Sequence, residues 1–178
     1  MKVFVLGYMA SGKSTFGKAL ADKLDTLFID LDNYIETQTG KSISEIFAEE
    51  GEEGFRKIEA ELLHKAVEEN PDAVVACGGG TPCFFDNMRY LNENGITVFM
   101  ETSIPVLIAR LIEENEKRPL MAGKSEEEIR QKVLSQLCDR LPVYLEAKLK
   151  WSGDELNTPG EIDENVSSFI SSYPSIFR

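Results

Sequence analysis

A glycine-rich run that directly follows a short apolar segment constrains the fold of this chain more than any other feature. Residues 7–15 read GYMASGKST and come immediately after the apolar residues 3–6. They fit the pattern G-x-x-x-x-G-K-[ST], which requires a strand before it and a helix after it. Small residues let backbone N–H groups converge on a phosphate, and the opening helix adds the positive end of its dipole. A glycine-rich turn with a chance lysine is the weaker alternative, so the chain predicts strand, phosphate-binding loop and helix.

The loop pattern also predicts roles for individual side chains. Lys13 is expected to reach the β- and γ-phosphates of a nucleoside triphosphate, and the Ser14 hydroxyl is expected to hold Mg²⁺. The loop positions expected to contact the nucleotide are Gly7, Ala10, Ser11, Gly12, Lys13, Ser14 and Thr15.

Strand-like and helix-like segments alternate along the 178 residues, which predicts one α/β domain with a parallel sheet covered by helices. The strand candidates are residues 2–6, 27–30, 73–77 and 96–100, with a weaker one near 149–151. Residues 13–24 and 52–68 carry apolar side chains at helical spacing. Ser125 and Glu128 are typical of a capping box, which predicts that a further helix begins there.

The charge balance and the cysteines bear on partners and location. The chain has 19 Lys and Arg residues against 31 Asp and Glu residues, a formal net charge of −12. This acidity argues against nucleic acid as a substrate, because phosphate backbones recruit basic surfaces. No apolar run is long enough to span a bilayer, and residues 3–6 are too few for a signal-peptide core. Cys77, Cys83 and Cys138 have spacings that suit neither a disulfide framework nor a metal site, so we expect buried, reduced thiols in a cytoplasmic protein.

Two carboxylates follow the second strand candidate. Asp30 and Asp32 would lie on one side of an extended chain, at the carboxyl edge where ligands bind in open parallel sheets. One carboxylate can fix Mg²⁺ or its water, and the other can orient an attacking hydroxyl and accept its proton. A pair of loop-capping aspartates is the alternative interpretation.

Three glycines and three arginines are further candidates for ligand contacts. The glycines at 78–80 follow an apolar strand, which indicates either close approach of a ligand to the backbone or a tight turn. Arg56, Arg118 and Arg140 are candidate anion clamps, although isolated arginines are commonly surface residues. Glu59 lies three residues after Arg56 on a predicted helix, where it can orient the guanidinium or form a weak surface pair.

Two more features have expectations of their own. His64, the single histidine, falls on the polar side of the same predicted helix and is expected to face solvent. Residues 113–124 are polar and interrupted by proline and glycine, and a connection of this length is typical of a functional cover or of disorder. We interpret residues 112–124 as a lid over the phosphates.

Taken together, these motifs resemble the shikimate kinase family, and the resemblance extends over nearly the whole chain. The matching segments, in the order of the family, are residues 7–15, 28–36, 39–47, 51–52 with 55–59, 78–80, 118–120 and 140–144. The phosphate loop is shared by many kinases, whereas Asp-x-Asp, Phe-Arg, the three glycines and Arg-Pro-Leu in this order are specific. Ala10 departs from the family, which often has a glycine there.

The resemblance implies a three-layer P-loop kinase fold of class α/β with a central five-stranded parallel sheet. Residues 1–178 would form a single domain, with a helical substrate-binding region at 33–61 and a mobile lid at 112–124. It also implies ATP-dependent phosphorylation of the shikimate 3-hydroxyl, a step toward chorismate and the aromatic amino acids. The implied enzyme is a monomer that uses Mg²⁺.

The resemblance further implies roles on the phosphate side of the site. Lys13 and Arg118 would neutralise the charge of the transferred phosphate. Ser14 and Asp30 would hold Mg²⁺. Asp32 would bind and activate the substrate hydroxyl.

On the shikimate side, Arg56 and Arg140 would grip the carboxylate, and Gly79 would contribute a backbone donor. Two phenylalanines would wall the ring. The full implied substrate-binding set is Asp32, Phe47, Phe55, Arg56, Gly78, Gly79, Gly80 and Arg140, and Arg110 would lie beside the adenine.

Other functions are open at this point. A gluconate-type or nucleoside monophosphate kinase would share the phosphate loop, but it would not need two aspartates at 30 and 32 together with Phe55 and Arg56. A nucleotide-dependent switch or binding module belongs to a different class. GTPase switches usually carry Asp-x-x-Gly and Asn-Lys-x-Asp, and this sequence contains neither.

Overall fold

A parallel sheet forms the centre of the computed structural model, which describes residues 1–113 and 125–177. The strands in these residues are β1 (Lys2–Leu6), β2 (Leu27–Asp30), β3 (Ala73–Ala76), β4 (Ile96–Glu101) and β5 (Leu149–Ser152). They form one sheet in the order β2-β3-β1-β4-β5, and every neighbouring pair is parallel. The predicted α/β class and five-stranded parallel sheet are confirmed.

Helices connect the strands and cover both faces of the sheet. They are α1 (Lys13–Lys23), α2 (Leu31–Thr39), α3 (Ile43–Glu69), α4 (Asn87–Asn94), α5 (Ile104–Glu113), α6 (Glu126–Tyr144) and α7 (Pro159–Ser172), with a 3₁₀ turn at Thr81–Cys83. The predicted helix at 52–68 is the second part of α3, which starts earlier because Ser42 and Glu45 form a capping box. Gly51 bends α3 with a φ of 69°, a left-handed conformation that glycine adopts without steric cost. None of the helices in the described ranges is long and apolar enough to cross a membrane.

Alternating side chains of β1 separate two apolar cores. Val3 and Val5 face α1 and α7 and are almost fully buried there. Phe4 and Leu6 point to the opposite face, where they pack with side chains of α2, α3 and α4. A strand buried on both faces is held firmly, so the loop that follows β1 starts from a fixed point.

Helix α6 begins at the predicted capping box of Ser125 and Glu128. Its buried side chains Ile129 and Val133 pack in a third apolar cluster with residues of α5 and β4. Tyr144 at the end of α6 is buried in the same cluster and fixes the last turns of the helix, and Arg140 on those turns lies beside the loop after β3.

Two expectations about single side chains are wrong. Cys77 is buried, but Cys83 is half-buried and Cys138 is exposed, so the thiols are not uniformly buried. His64 does not project freely into solvent: it is half-buried with a buried Nε2, and its ring stacks on Tyr90 with 3.9 Å between the ring centroids.

Candidate active site

The candidate site lies at the carboxyl edge of the sheet, where three loops meet. Because β3 lies between β2 and β1, the segments that follow these three strands are neighbours. They contain residues 7–12, 30–32 and 77–80. The topology therefore brings together candidates that are far apart in the sequence.

The loop after β1 curls around the start of α1. Gly7 and Gly12 have φ angles of 143° and 91°, and a methyl group on Gly12 would lie 2.5 Å from a neighbouring leucine carbon. Ala10 also has a left-handed φ of 61°, which costs about 1 kcal/mol for a residue with a Cβ. Lys13 donates a hydrogen bond from Nζ to the Tyr8 carbonyl oxygen at 2.7 Å. The lysine is thus folded back over the loop.

Ser11 and Thr15, two further nucleotide candidates, lie on either side of Lys13. The Ser11 hydroxyl is buried and has no hydrogen-bond partner among the described residues. Thr15 is exposed in the first turn of α1. A buried hydroxyl without a partner is costly unless a ligand satisfies it, so Ser11 is placed suitably for a phosphate oxygen.

Ser14 and Asp30 provide a pair of oxygen ligands at the edge of the loop. Ser14 Oγ donates to Asp30 Oδ2 at 2.6 Å, while Asp30 Oδ1 accepts from the Asn33 backbone N–H at 3.3 Å. The described residues contain no cluster of three or more acidic, histidine or cysteine side chains suited to a metal. Mg²⁺ usually takes one or two protein oxygens and keeps waters and phosphate oxygens as its other ligands. The pair therefore fits Mg²⁺ that binds together with a nucleotide.

Asp32 lies in the first turn of α2. The helix begins between the two aspartates, so the expectation that Asp30 and Asp32 alternate along an extended chain is wrong. The side chain of Asp32 is exposed. Desolvation by the surrounding protein, with the negative charges of Asp30 and Glu59, nevertheless raises the pKa of Asp32 to about 6, against the opposing charges of Lys13 and Arg56. A carboxylate with a pKa near neutrality suits a general base.

The three glycines at 78–80 lie at the centre of the site. A methyl group placed on the first glycine would lie 3.1 Å from Asp32 Oδ1. On the second it would lie 3.5 Å from Arg140 Nη1, and on the third 2.4 Å from Arg56 Nη2. Side chains from α2, α3 and α6 thus surround one short backbone segment, and their close approach accounts for Gly78 and Gly80.

A buried network holds the guanidinium of Arg56. Its Nη1 donates to Glu59 Oε2 at 2.8 Å, and Thr81 Oγ1 donates to Glu59 Oε1 at 2.6 Å. Glu59 is 1% exposed and Arg56 is 8% exposed, so Glu59 orients the guanidinium and the two do not form a surface pair. Arg56 Nε is buried without a hydrogen-bond partner among the described residues, which leaves a donor for an anionic ligand.

Two phenylalanines of α3 lie next to Arg56. Phe47 and Phe55 stack with 4.4 Å between their ring centroids, although they lie on opposite sides of the bend at Gly51. Phe55 is buried, and its ring centroid is 5.1 Å from Arg56 Cζ. The bend in α3 therefore creates an apolar wall beside the guanidinium.

Helix α6 is connected to both glycine-containing loops. Arg140 Cζ lies 5.8 Å from the centroid of the Tyr8 ring in the phosphate loop. The Tyr8 hydroxyl donates to Gln136 Oε1, one turn earlier on α6, at 2.7 Å. The Tyr144 hydroxyl donates to the Gly79 carbonyl oxygen. These contacts fix Arg140 relative to the phosphate loop.

Of the two arginines proposed for the nucleotide side, the structure describes one. Arg110 donates from Nη1 to the carbonyl oxygens of Gly153 at 2.9 Å and of Ala10 at 3.3 Å. It thereby joins the phosphate loop to the loop that follows β5. Arg118 and residues 114–124 of the predicted lid lie outside the described residues, and the first two lid residues belong to α5.

Three residues of the site were not found from the sequence. They are Tyr8, which contacts α6; Thr81, which hydrogen-bonds to Glu59; and Phe84, whose ring centroid is 4.4 Å from Arg56 Cζ. Each acts through a contact with a distant part of the chain, which a single sequence does not reveal. The position of Thr81 and Phe84 shortly after the three glycines is the one available signal.

Phosphoryl transfer requires a cradle for the phosphates, oxygen ligands for a cation and a base beside an acceptor pocket. This edge of the sheet brings all three close together, and its two arginines favour an anionic acceptor. The fold and the site together define a P-loop kinase that acts on a small anionic molecule. Residues 9–171 match the family model described as shikimate kinase. The chain belongs to the shikimate kinase family.

Similarity to individual members covers almost the full chain. A shikimate kinase from Phocaeicola vulgatus is 45% identical over 167 residues, which cover 94% of this chain and 95% of the relative. The crystal structure of shikimate kinase from Bacteroides thetaiotaomicron has a TM-score of 0.93 and 39% identity, with 98% of both chains covered. Shikimate kinase from Acinetobacter baumannii in complex with shikimate has a TM-score of 0.84 and 30% identity, covering 98% of this chain and 93% of that one.

Proposed function

We propose that this chain transfers the γ-phosphoryl group of ATP to the 3-hydroxyl of shikimate, a step toward chorismate and the aromatic amino acids. One observation carries the proposal: Asp32, Arg56 and Arg140 lie around residues 78–80, next to the phosphate loop. Membership of the shikimate kinase family supports the reaction, and the relative solved with shikimate supports the substrate.

ATP binds with its triphosphate along the phosphate loop. Lys13 leaves the Tyr8 carbonyl oxygen and reaches the β- and γ-phosphates, while backbone N–H groups of the loop bind the remaining phosphate oxygens. Ser14 and Asp30 hold Mg²⁺, which when bound neutralises phosphate charge and orients the γ-phosphoryl group. The hydrogen bond between Ser14 and Asp30 supports this assignment, because it brings both oxygens to one point.

The remaining nucleotide contacts rest on the family resemblance. Arg118 adds a second positive charge at the transferred phosphate. Arg110 lies beside the adenine. Its hydrogen bonds to the phosphate loop and to the loop after β5 support a place on the nucleotide side.

Shikimate binds on the other side of the glycines. Arg56 and Arg140 bind its carboxylate, and the unpartnered Nε of Arg56 supports this because a carboxylate would satisfy it. The Gly79 N–H donates to the substrate. Phe47 and Phe55 pack against the carbocyclic ring.

The chemical step depends on Asp32. Its carboxylate accepts the proton of the 3-hydroxyl as the new oxygen–phosphorus bond forms, and the bond from the γ-phosphorus to the bridging oxygen breaks to release ADP. A pKa of about 6 supports this role, since the group is ionised at neutral pH yet basic enough to take a proton. Positioning and charge neutralisation supply most of the remaining acceleration.

We further propose a monomeric enzyme of the cytoplasm. The resemblance to the shikimate kinase family supports a monomer. The three cysteines are free thiols, as expected in a reducing compartment. Sedimentation of the purified protein tests the monomer.

The decisive experiment incubates the purified protein with ATP, Mg²⁺ and shikimate, and follows the phosphorylated product by ³¹P NMR and mass spectrometry. We expect shikimate 3-phosphate and an equal amount of ADP. Gluconate and nucleoside monophosphates are assayed in parallel. Phosphorylation of either alternative, with shikimate inert, would overturn the proposal.

A further inference from the structure

We propose that Phe84 is a positioning residue that fixes the guanidinium plane of Arg56 for the substrate carboxylate. This inference rests on the proposed function. It concerns a residue in the loop after the three glycines, outside the motifs that point to the family.

The contacts of Arg56 show how the Phe84 ring contributes to the orientation of the guanidinium. Glu59 accepts a hydrogen bond from Nη1 at 2.8 Å, and the exposed carboxylate of Glu52 lies 3.6 Å from Nη2, so these two contacts hold the edge of the guanidinium but not its faces. The Phe84 ring centroid lies 4.4 Å from Arg56 Cζ, closer than the Phe55 ring at 5.1 Å. Gly80 allows this arrangement, because a methyl group there would lie 2.4 Å from Arg56 Nη2. A cation over an aromatic face at this distance is attracted to it.

Hydrogen bonds from a buried asparagine hold the loop that contains Phe84. Asn87 is fully buried; its side chain donates to the Thr81 carbonyl oxygen at 2.8 Å, and its backbone N–H donates to the Phe84 carbonyl oxygen at 2.9 Å. Phe85 and Asp86 both have left-handed φ angles, 49° and 56°, which residues with a Cβ rarely adopt. Two consecutive strained residues persist only where their surroundings require them, and such strain is concentrated at functional sites.

The chemical consequence concerns the carboxylate. Glu59 holds Nη1, and Phe84 covers one face of the guanidinium. The Nε–H bond, which is buried and has no hydrogen-bond partner among the described residues, therefore points in a fixed direction. The ring also excludes water from that face, which strengthens the attraction between guanidinium and carboxylate. Phe84 therefore acts on shikimate binding and leaves the nucleotide side unchanged.

Three substitutions at this position separate the contributions of the ring. Phe84→Ala removes the side chain, Phe84→Leu keeps an apolar group without an aromatic face, and Phe84→Tyr keeps the face. We expect KM for shikimate to rise about tenfold in the alanine and leucine variants, with kcat changed less than about twofold and KM for ATP unchanged. The tyrosine variant should restore KM to within about twofold of the wild type.

The matched control is Phe85→Ala, which removes a neighbouring phenylalanine that is 54% exposed, and it should leave both KM values unchanged. Thermal melting of all variants checks folding, and the leucine and tyrosine variants carry the test if the alanine variant fails to fold. A leucine variant with wild-type KM, or a fall in kcat without a change in KM, would overturn the role of Phe84. A wild-type protein inert toward shikimate would overturn the proposed function and this inference together, whereas an active wild type with an unaffected leucine variant overturns this inference alone.

Discussion

The phenolic hydroxyl of Tyr8 donates a hydrogen bond to Gln136 Oε1 at 2.7 Å, across 128 positions of sequence. Tyr8 lies in the phosphate loop and Gln136 lies on α6, one turn before Arg140. Burial raises the pKa of Tyr8 to about 12, so the phenol stays a neutral donor at physiological pH. This hydrogen bond directly connects the phosphate loop with the helix that carries Arg140, for which we propose a contact with the substrate carboxylate.

Removing that hydroxyl should cost stability in a way that depends on Gln136. We expect Tyr8→Phe and Gln136→Leu each to lower the free energy of unfolding by about 1 kcal/mol, measured by urea denaturation. The double variant should lose little more than either single one, because both changes remove the same hydrogen bond. Fully additive losses would show that the two residues stabilise the protein separately.

Asp32→Asn should cut turnover severely while sparing ATP binding. A positioned general base typically contributes about 10²–10⁴-fold, so we expect kcat to fall by about that factor with the dissociation constant for ATP unchanged in calorimetry. Asp22→Asn is the matched control, since Asp22 is an exposed aspartate on α1. Near-normal turnover in Asp32→Asn would remove Asp32 from the chemistry.

The raised pKa of Asp32, about 6, also predicts two pH dependences. The carboxylate must be ionised to accept a proton, so kcat/KM for shikimate should fall as pH drops below about 6. The folded protein binds this proton more tightly than the unfolded chain, whose value is near 3.8, so Asp32 favours folding progressively more as pH falls from about 6 toward 4. Asp32→Asn should therefore be more stable than wild type at about pH 7, and that advantage should shrink by about pH 4 in denaturation curves.

Much of the fold could be predicted from the sequence because the strands are buried. Strands β1 and β2 have the predicted bounds, and the other three end within one residue of theirs. A strand covered on both faces is a short apolar run, and here glycines or aspartates follow several of these runs and mark their ends. The phosphate loop could also be predicted from the sequence, because its chemistry depends on residue types at fixed spacing.

The details of the site could not be predicted, because they depend on contacts between distant segments. Asp32 belongs to helix α2, because Asp30 acts as the N-cap of that helix. The expected alternation of side chains along an extended strand therefore ends at Asp30. The contact between Phe84 and Arg56 depends on the sheet order and on the loop that Asn87 holds. Neither the N-cap at Asp30 nor the contact between Phe84 and Arg56 produces a periodic pattern in the sequence.

Glu59→Gln should damage both folding and substrate binding. The glutamine side chain would keep one acceptor oxygen where Glu59 has two and would carry no negative charge, so the buried charge of Arg56 loses its buried counter-ion. We expect a loss of about 3 kcal/mol in the free energy of unfolding, together with a higher KM for shikimate.

The control for this change is Glu52→Gln on the same helix. The Glu52 carboxylate is 3.6 Å from Arg56 Nη2, but its side chain is 64% exposed. Solvent-exposed pairs contribute little, so this variant should change stability by less than about 1 kcal/mol and leave KM for shikimate unchanged. Equal effects of the two variants would contradict the special position of Glu59.

Gly80→Ala tests whether the glycines serve close approach or only a turn. Gly80 has a φ of −93°, which alanine adopts without strain, so any effect comes from the added methyl group. That methyl would lie 2.4 Å from Arg56 Nη2, so the guanidinium must shift from its place beside Glu59, and thermal melting checks that the variant stays folded. We expect a folded variant that binds ATP normally but has at least about tenfold weaker shikimate affinity in calorimetry, because the displaced guanidinium no longer meets the carboxylate. Gly160→Ala in α7 is the control, since a methyl group there meets nothing within 4 Å and should leave the affinity unchanged. Unaltered shikimate binding in Gly80→Ala would mean that Arg56 does not reach the carboxylate from this position.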